Sequence, residues 1–150
     1  MTANPSSEPP APGPAPAPLS PSDERTWAML AHFSVLLNLV TGFLGVVVPL
    51  VIYLIYKDRS RYLAYQSLQA FVFQLGTWVG GGALVGLAWA VTGILSTVLV
   101  GLLCIPFACV LSFLPLAALV YGVIGGLRCA EGQDFQYWLV GDWLRGALTA

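Results

Sequence analysis

From Tyr62 to Leu127 the chain runs for 66 residues without one Asp, Glu, Lys or Arg. A helix at a water-exposed surface carries a polar face, whereas a bilayer span carries few or no charges. Upstream, Trp27 to Lys57 is a second run, 31 residues in which only the last is charged. Four charges in five residues, Lys57-Asp58-Arg59-Ser60-Arg61, separate the two runs. Hydrophobic residues make up 57% of the chain, charged ones 9%, and the mean hydropathy is +0.79. The class this implies is an all-α integral membrane protein.

The first run is longer than one upright span requires. Thirty helical residues measure about 45 Å against a hydrocarbon core of about 30 Å. One steeply tilted span is one solution. The cluster Asn38, Thr41, Gly42 and Gly45, followed by Pro49, fits a second solution better, a short helical hairpin. The long second run suits two spans, with a break expected at Thr92–Thr97, where Thr92, Gly93, Ser96 and Thr97 interrupt it. Pro106 and Pro115 are expected to kink the last span. The architecture expected is a small four-helix transmembrane bundle, with helices at about 24–40, 44–57, 61–91 and 96–127. Ser22 is the candidate N-cap of the first, with Asp23 and Glu24 in its first turn.

Three regions follow: a disordered Pro/Ala-rich tail (1–21), the helical transmembrane domain (22–130) and a C-terminal interfacial segment (131–150). The tail holds eight prolines and cannot bury apolar surface. It lacks the basic start and apolar stretch of a cleavable signal peptide, so insertion is expected to be directed by the spans. The last segment mixes Phe135, Tyr137, Trp138 and Trp143 with charges, which suits a headgroup layer, as a turn at Gly132 and then a short interfacial helix. The positive-inside rule places the 57–61 loop and the C-terminus in the cytoplasm of a multi-pass plasma-membrane protein. The N-terminus is cytoplasmic with four spans and outside with three.

Small residues four apart let helix backbones approach, so Gly76, Gly80, Gly82 and Gly86, and later Gly122 and Gly126, are the expected helix-packing positions. His32 is the only histidine, on a helix face otherwise apolar, and Gln66 and Gln69 share a face three residues apart. These three could line a polar pathway, although a satisfied interhelical hydrogen bond is the preferred reading. Asn38 is expected to cap the first helix rather than touch a partner helix. Ser34, Ser67, Ser96 and Ser112 have no base at a suggestive spacing, and the spans hold no acid. No catalytic, cofactor-binding or metal-binding residues are therefore expected, and no enzymatic activity. Cys104, Cys109 and Cys129 form no CxxC pair and read as free thiols. A net charge of −1 argues against nucleic acid. The expected partners are the lipid bilayer and other membrane proteins or a second copy.

Three stretches carry a resemblance. Asp23 to His32 (DERTWAMLAH) resembles the "ERxWAMLAHLS" opening of the small bacterial membrane proteins grouped as domain-of-unknown-function family DUF4870. Pro49 to Asp58 is similar to that family's "GPLIIWLIKKD", and Ala130 to Tyr137 to its "AxxGxxYxY" close. Tyr65 to Gln74 departs from the family's "HGKEALNFQ" and is closer to the "FHAMQA" of the Tic-twenty-like proteins of chloroplasts. The resemblance covers residues 22–140 and implies a four-helix bundle. It carries over no activity. The function expected is a scaffold or accessory subunit of a membrane complex, by analogy in protein translocation or assembly, with a small oligomeric channel or transporter as the alternative.

Overall fold

The computed structural model describes residues 17–149, whose regular secondary structure is all helical, joined by turns and short irregular stretches. Most of the expected tail, residues 1–16, lies outside the described residues. Helix α1 covers Pro21–Phe33. Its cap is Ser20, not Ser22: the Ser20 hydroxyl accepts from the Asp23 amide at 3.2 Å. Pro21, which has no amide proton to satisfy, then takes the first helical position. A 3₁₀ turn at Ser34–Leu36 leads into α2, Leu37–Thr41. Gly42 ends it with φ +76°, and Leu44–Val46 leads into α3, Val47–Tyr56.

The first apolar run is thus a helical hairpin. Its arms meet at Gly45, where an added Cβ would collide with the Ser34 carbonyl oxygen and the Asn38 side chain. That contact demands glycine. Ser60 then caps α4, Arg61–Leu75, by accepting from the Leu63 amide at 3.1 Å. A π-helical turn at Gly76–Gly80 joins α4 to α5, Gly81–Ser96.

The break expected at Thr92–Thr97 falls at the end of that range: α5 ends at Ser96 and the chain turns over Thr97–Leu99, with Leu99 at φ +63°. Thr92 and Gly93 do not interrupt the helix; the Thr92 hydroxyl donates to the Ala88 carbonyl and the Ser96 hydroxyl to the Thr92 carbonyl, both at 2.7 Å. A 3₁₀ turn at Val100–Leu103 precedes α6, Ile105–Leu111, and then come α7, Leu114–Ala130, and α8, Gly141–Thr149. Pro106 and Pro115 are not mid-helix kinks. Each sits in the first turn of a new helix, α6 and α7, where a missing amide proton costs nothing.

Two stretches are long and apolar enough to cross a membrane, Arg61–Ser96 with 36 residues and Ile105–Ala130 with 26; Leu44–Tyr56 is apolar but shorter. The four-helix bundle of spans is therefore established only to that extent. Helices α1, α3, α4 and α7 share a core of small and medium side chains: Ala28, Ala31, Ile52, Leu63, Ala70 and Cys129. Val35 and the Phe33 ring fill the space a side chain would need at Gly122 and Gly126, so α7 lies close against α1. Nothing approaches within 4 Å of the Cβ positions of Gly76, Gly80, Gly82 or Gly86. Those four glycines form no close helix contact within this chain.

Candidate functional site

The buried polar residues gather at one place. Gly132, with φ +77°, turns the chain out of α7, and its amide bonds back to the Cys129 carbonyl at 3.0 Å. Residues 133–137 have no regular secondary structure, and the short helix expected after Gly132 starts only at Gly141 and runs to Thr149. A strand of chain outside regular structure leaves its peptide groups to find other partners. Glutamines of α4 supply the partners. The Phe135 carbonyl accepts from Gln66 Nε2 at 3.1 Å and from Gln69 Nε2 at 2.7 Å, and the Tyr137 amide donates to Gln69 Oε1 at 3.3 Å.

Tyr137 enters the bundle from this strand and is 1% exposed. Its ring stacks on Phe73 at 3.9 Å between centroids and meets Tyr121 edge-on at 5.2 Å. Its hydroxyl lies 3.0 Å from His32 Nδ1, and His32 Nε2 lies 3.1 Å from Gln66 Oε1. The amide orientation of Gln66 settles the tautomer. Its nitrogen faces two acceptors, Asp134 Oδ1 at 2.9 Å and the Phe135 carbonyl, so its oxygen faces the histidine. His32 therefore donates from Nε2 and accepts at Nδ1 from Tyr137. Burial raises the pKa of the Tyr137 hydroxyl well above its ordinary value and keeps it a donor.

Around this centre the network closes. Gln69 Nε2 donates to Gln66 Oε1 at 2.5 Å, and Cys129 Sγ reaches the same oxygen at 3.5 Å. Asp134 binds Arg145 of α8 at 2.7 Å through its other oxygen. That pair is half exposed, so it adds little to stability. One helical turn or two deeper, Gln74 donates to Ser34 Oγ at 3.1 Å and accepts from Asn38 at 3.4 Å. Asn38 thus bonds to a partner helix instead of capping the first. Its Oδ1 is buried without a partner among the described residues.

His32, Gln66 and Gln69 are brought together and are each 0% exposed. Their polar atoms are spent on one another and on the 134–137 strand, so no polar opening leads through them. Among the described residues no three His, Cys, Asp or Glu side chains are grouped to hold a metal ion. The arrangement fastens the C-terminal strand to α1 and α4. Sequence reasoning missed Tyr137 and Asp134 as members. No local signal pointed to either, because Tyr137 meets His32 across 105 residues and Asp134 meets Gln66 across 68.

Compared with known proteins, the chain matches the family model of the magnetosome magnetite crystal formation proteins (MamF/MmsF) over residues 23–144. That match replaces the resemblance to DUF4870 and the Tic-twenty-like proteins: all three stretches quoted for that resemblance lie in or at the edge of the matched region, and the family matched is a different one. No curated protein and no solved structure matches the chain.

Proposed function

The chain belongs to the magnetosome magnetite crystal formation protein family, and on that footing we propose that it is a non-enzymatic scaffold or accessory subunit of the membrane in which magnetite crystals form. The observation that carries the reading is the contrast between a closed polar interior and an exposed apolar, glycine-bearing flank. A conducting protein needs a continuous polar opening; here His32, Gln66 and Gln69 are sealed by their mutual hydrogen bonds. The flank is what a membrane partner would touch. Gly76, Gly80, Gly82 and Gly86 are exposed along α4 and α5, with no neighbour within 4 Å of their Cβ positions. Close helix approach at such positions is a recognised mode of association in lipid.

In this reading α4–α5 and α6–α7 cross the bilayer, the α1–α3 hairpin enters it from the same side, and the 57–61 loop and C-terminus face the cytoplasm. The partners are lipid and other membrane proteins of the same compartment, or a second copy.

The test is replacement in a magnetite-forming cell that carries the gene. Loss of the chain should alter crystal size or number. Wild type should restore them and Gly80→Leu/Gly82→Leu should not, although the variant still reaches the membrane. Full restoration by the glycine variant would sink the scaffold reading. Failure of His32→Ala, present at normal level and normally folded, would instead favour the pathway reading.

A further inference from the structure

We propose that the groove between α1 and α3 is a binding site for an anionic phospholipid, with one acyl chain between the helices and the phosphate at Arg59. The groove has a volume of about 700 Å³ and is open along its side. Leu30 and Leu37 form one wall and Val51 and Ile55 the other, with Trp27 and Tyr56 also on its lining. Ser34 is the one polar side chain there, and its hydroxyl already donates to the Ala31 carbonyl at 2.7 Å. No polar ligand is served by such walls. A hydrocarbon chain is.

The length agrees. Leu44–Tyr56 measures about 20 Å as helix, and one leaflet of hydrocarbon is about 15 Å deep. The order of side chains towards the charged loop repeats the order of a lipid. Apolar residues come first, then the Trp27–Tyr56 ring pair at 5.2 Å between centroids, then the Arg59 guanidinium 5.7 Å from the Tyr56 centroid. Arg59 Nε donates to the Ala17 carbonyl at 3.0 Å, which holds the guanidinium in that place. Aromatic rings belong at headgroup level, and cations attract acidic headgroups just above it.

Charge selects the occupant. Arg59 is the cation beside the rings that end the groove, whereas Lys57, Asp58 and Arg61 line a separate pocket with Tyr53 and Ala64. A second copy docked side by side in the same orientation would bring Arg59 against itself. An anionic phospholipid suits both the apolar walls and the guanidinium.

Full-length protein in mild detergent is titrated with phosphatidylglycerol or phosphatidylcholine of identical acyl chains, and bound lipid is read by native mass spectrometry. Phosphatidylglycerol should bind at least about fivefold tighter, the factor one Lys or Arg contributes at a membrane surface. Arg59→Gln should bring the two lipids near parity, with helicity by circular dichroism unchanged. Ile55→Trp should reduce binding of both; if it does not fold, Leu37→Trp on the opposite wall asks the same question. Equal binding of the two lipids by wild type would overturn the proposal. So would a preference that survives loss of Arg59, or binding undiminished by a folded groove-blocking variant.

Discussion

Around His32 the chain buries amides and hydroxyls, whereas along α5 and α6 it buries almost nothing. His32, Gln66, Gln69 and Gln74 are each 0% exposed, while Ile94 is 70%, Phe107 65% and Leu103 82% exposed. In water this pattern would be inside out. In lipid it is sensible, because apolar side chains gain nothing by leaving one hydrocarbon for another, and hydrogen bonds and close packing must specify the fold instead. The comparison therefore assigns different work to the two regions. The polar centre ties this chain's own elements together; the apolar flank is left to whatever surrounds the chain.

The largest effect should come from breaking the polar centre. Tyr137→Ala removes a fully buried ring and leaves His32 Nδ1 without its donor. It should cost about 3–5 kcal/mol, as large-to-small changes of buried aromatics do. Phe107→Ala on the exposed flank should cost well under about 1 kcal/mol. Thermal unfolding of both variants in the same detergent checks the pair, and equal losses would dissolve the contrast.

Next in size is Gln66→Leu. It strips a donor from Asp134 and from the Phe135 carbonyl, and an acceptor from His32. Unsatisfied buried groups cost about 1–3 kcal/mol each in soluble proteins. Membrane hydrogen bonds average nearer 0.6 kcal/mol, so a loss of about 1–3 kcal/mol in total is expected. The strand, not the helices, should feel it first. Limited proteolysis should cut after Arg145 sooner than in wild type, with α4 and α7 still intact.

These variants also mark what could be read from the sequence. The uncharged runs and the Gly42–Gly45 cluster disclose the membrane class and the hairpin, because both are local properties of the chain. Gln66 and Gln69 show their shared face through spacing alone. Tyr137 does not, because its hydrogen bond to His32 joins residues 105 apart and its neighbours look like a headgroup belt. Thr92 misleads for a different reason. A sequence shows a hydroxyl but not whether it bonds back to its own helix. Pro106 and Pro115 likewise look the same whether they bend a helix or begin one.

A smaller effect tests the turn between α5 and α6. Leu99 holds φ +63° and is 73% exposed, so its side chain contributes little packing to offset the strain. Left-handed backbone costs a non-glycine residue about 1–2 kcal/mol, and glycine gives back about 0.5–1 kcal/mol in chain entropy. Leu99→Gly should therefore stabilise the protein by up to about 1 kcal/mol, seen as a raised unfolding midpoint. A lowered midpoint would show that Leu99 is gripped by something other than this chain in the detergent-solubilised state.

The smallest effect on folding is the most informative about assembly. At Gly80 an added side chain meets nothing within 4 Å, and the residue already lies in an irregular π-helical turn. Gly80→Leu should change stability by less than about 0.5 kcal/mol, because an exposed substitution away from any packed contact does little. If anything, leucine's better helix propensity helps. At Gly126, by contrast, the Phe33 ring occupies the space, so Gly126→Leu must push α7 away from α1. Both glycines belong to the small-residue spacing seen in the sequence, yet only Gly126 is used within the chain. Cross-linking in membranes separates the two roles. Gly126→Leu should lower the yield of folded protein itself, whereas Gly80→Leu should leave the folded chain intact and remove its cross-links to neighbours. A Gly80→Leu chain that folds and still cross-links normally would place the association surface on a different face.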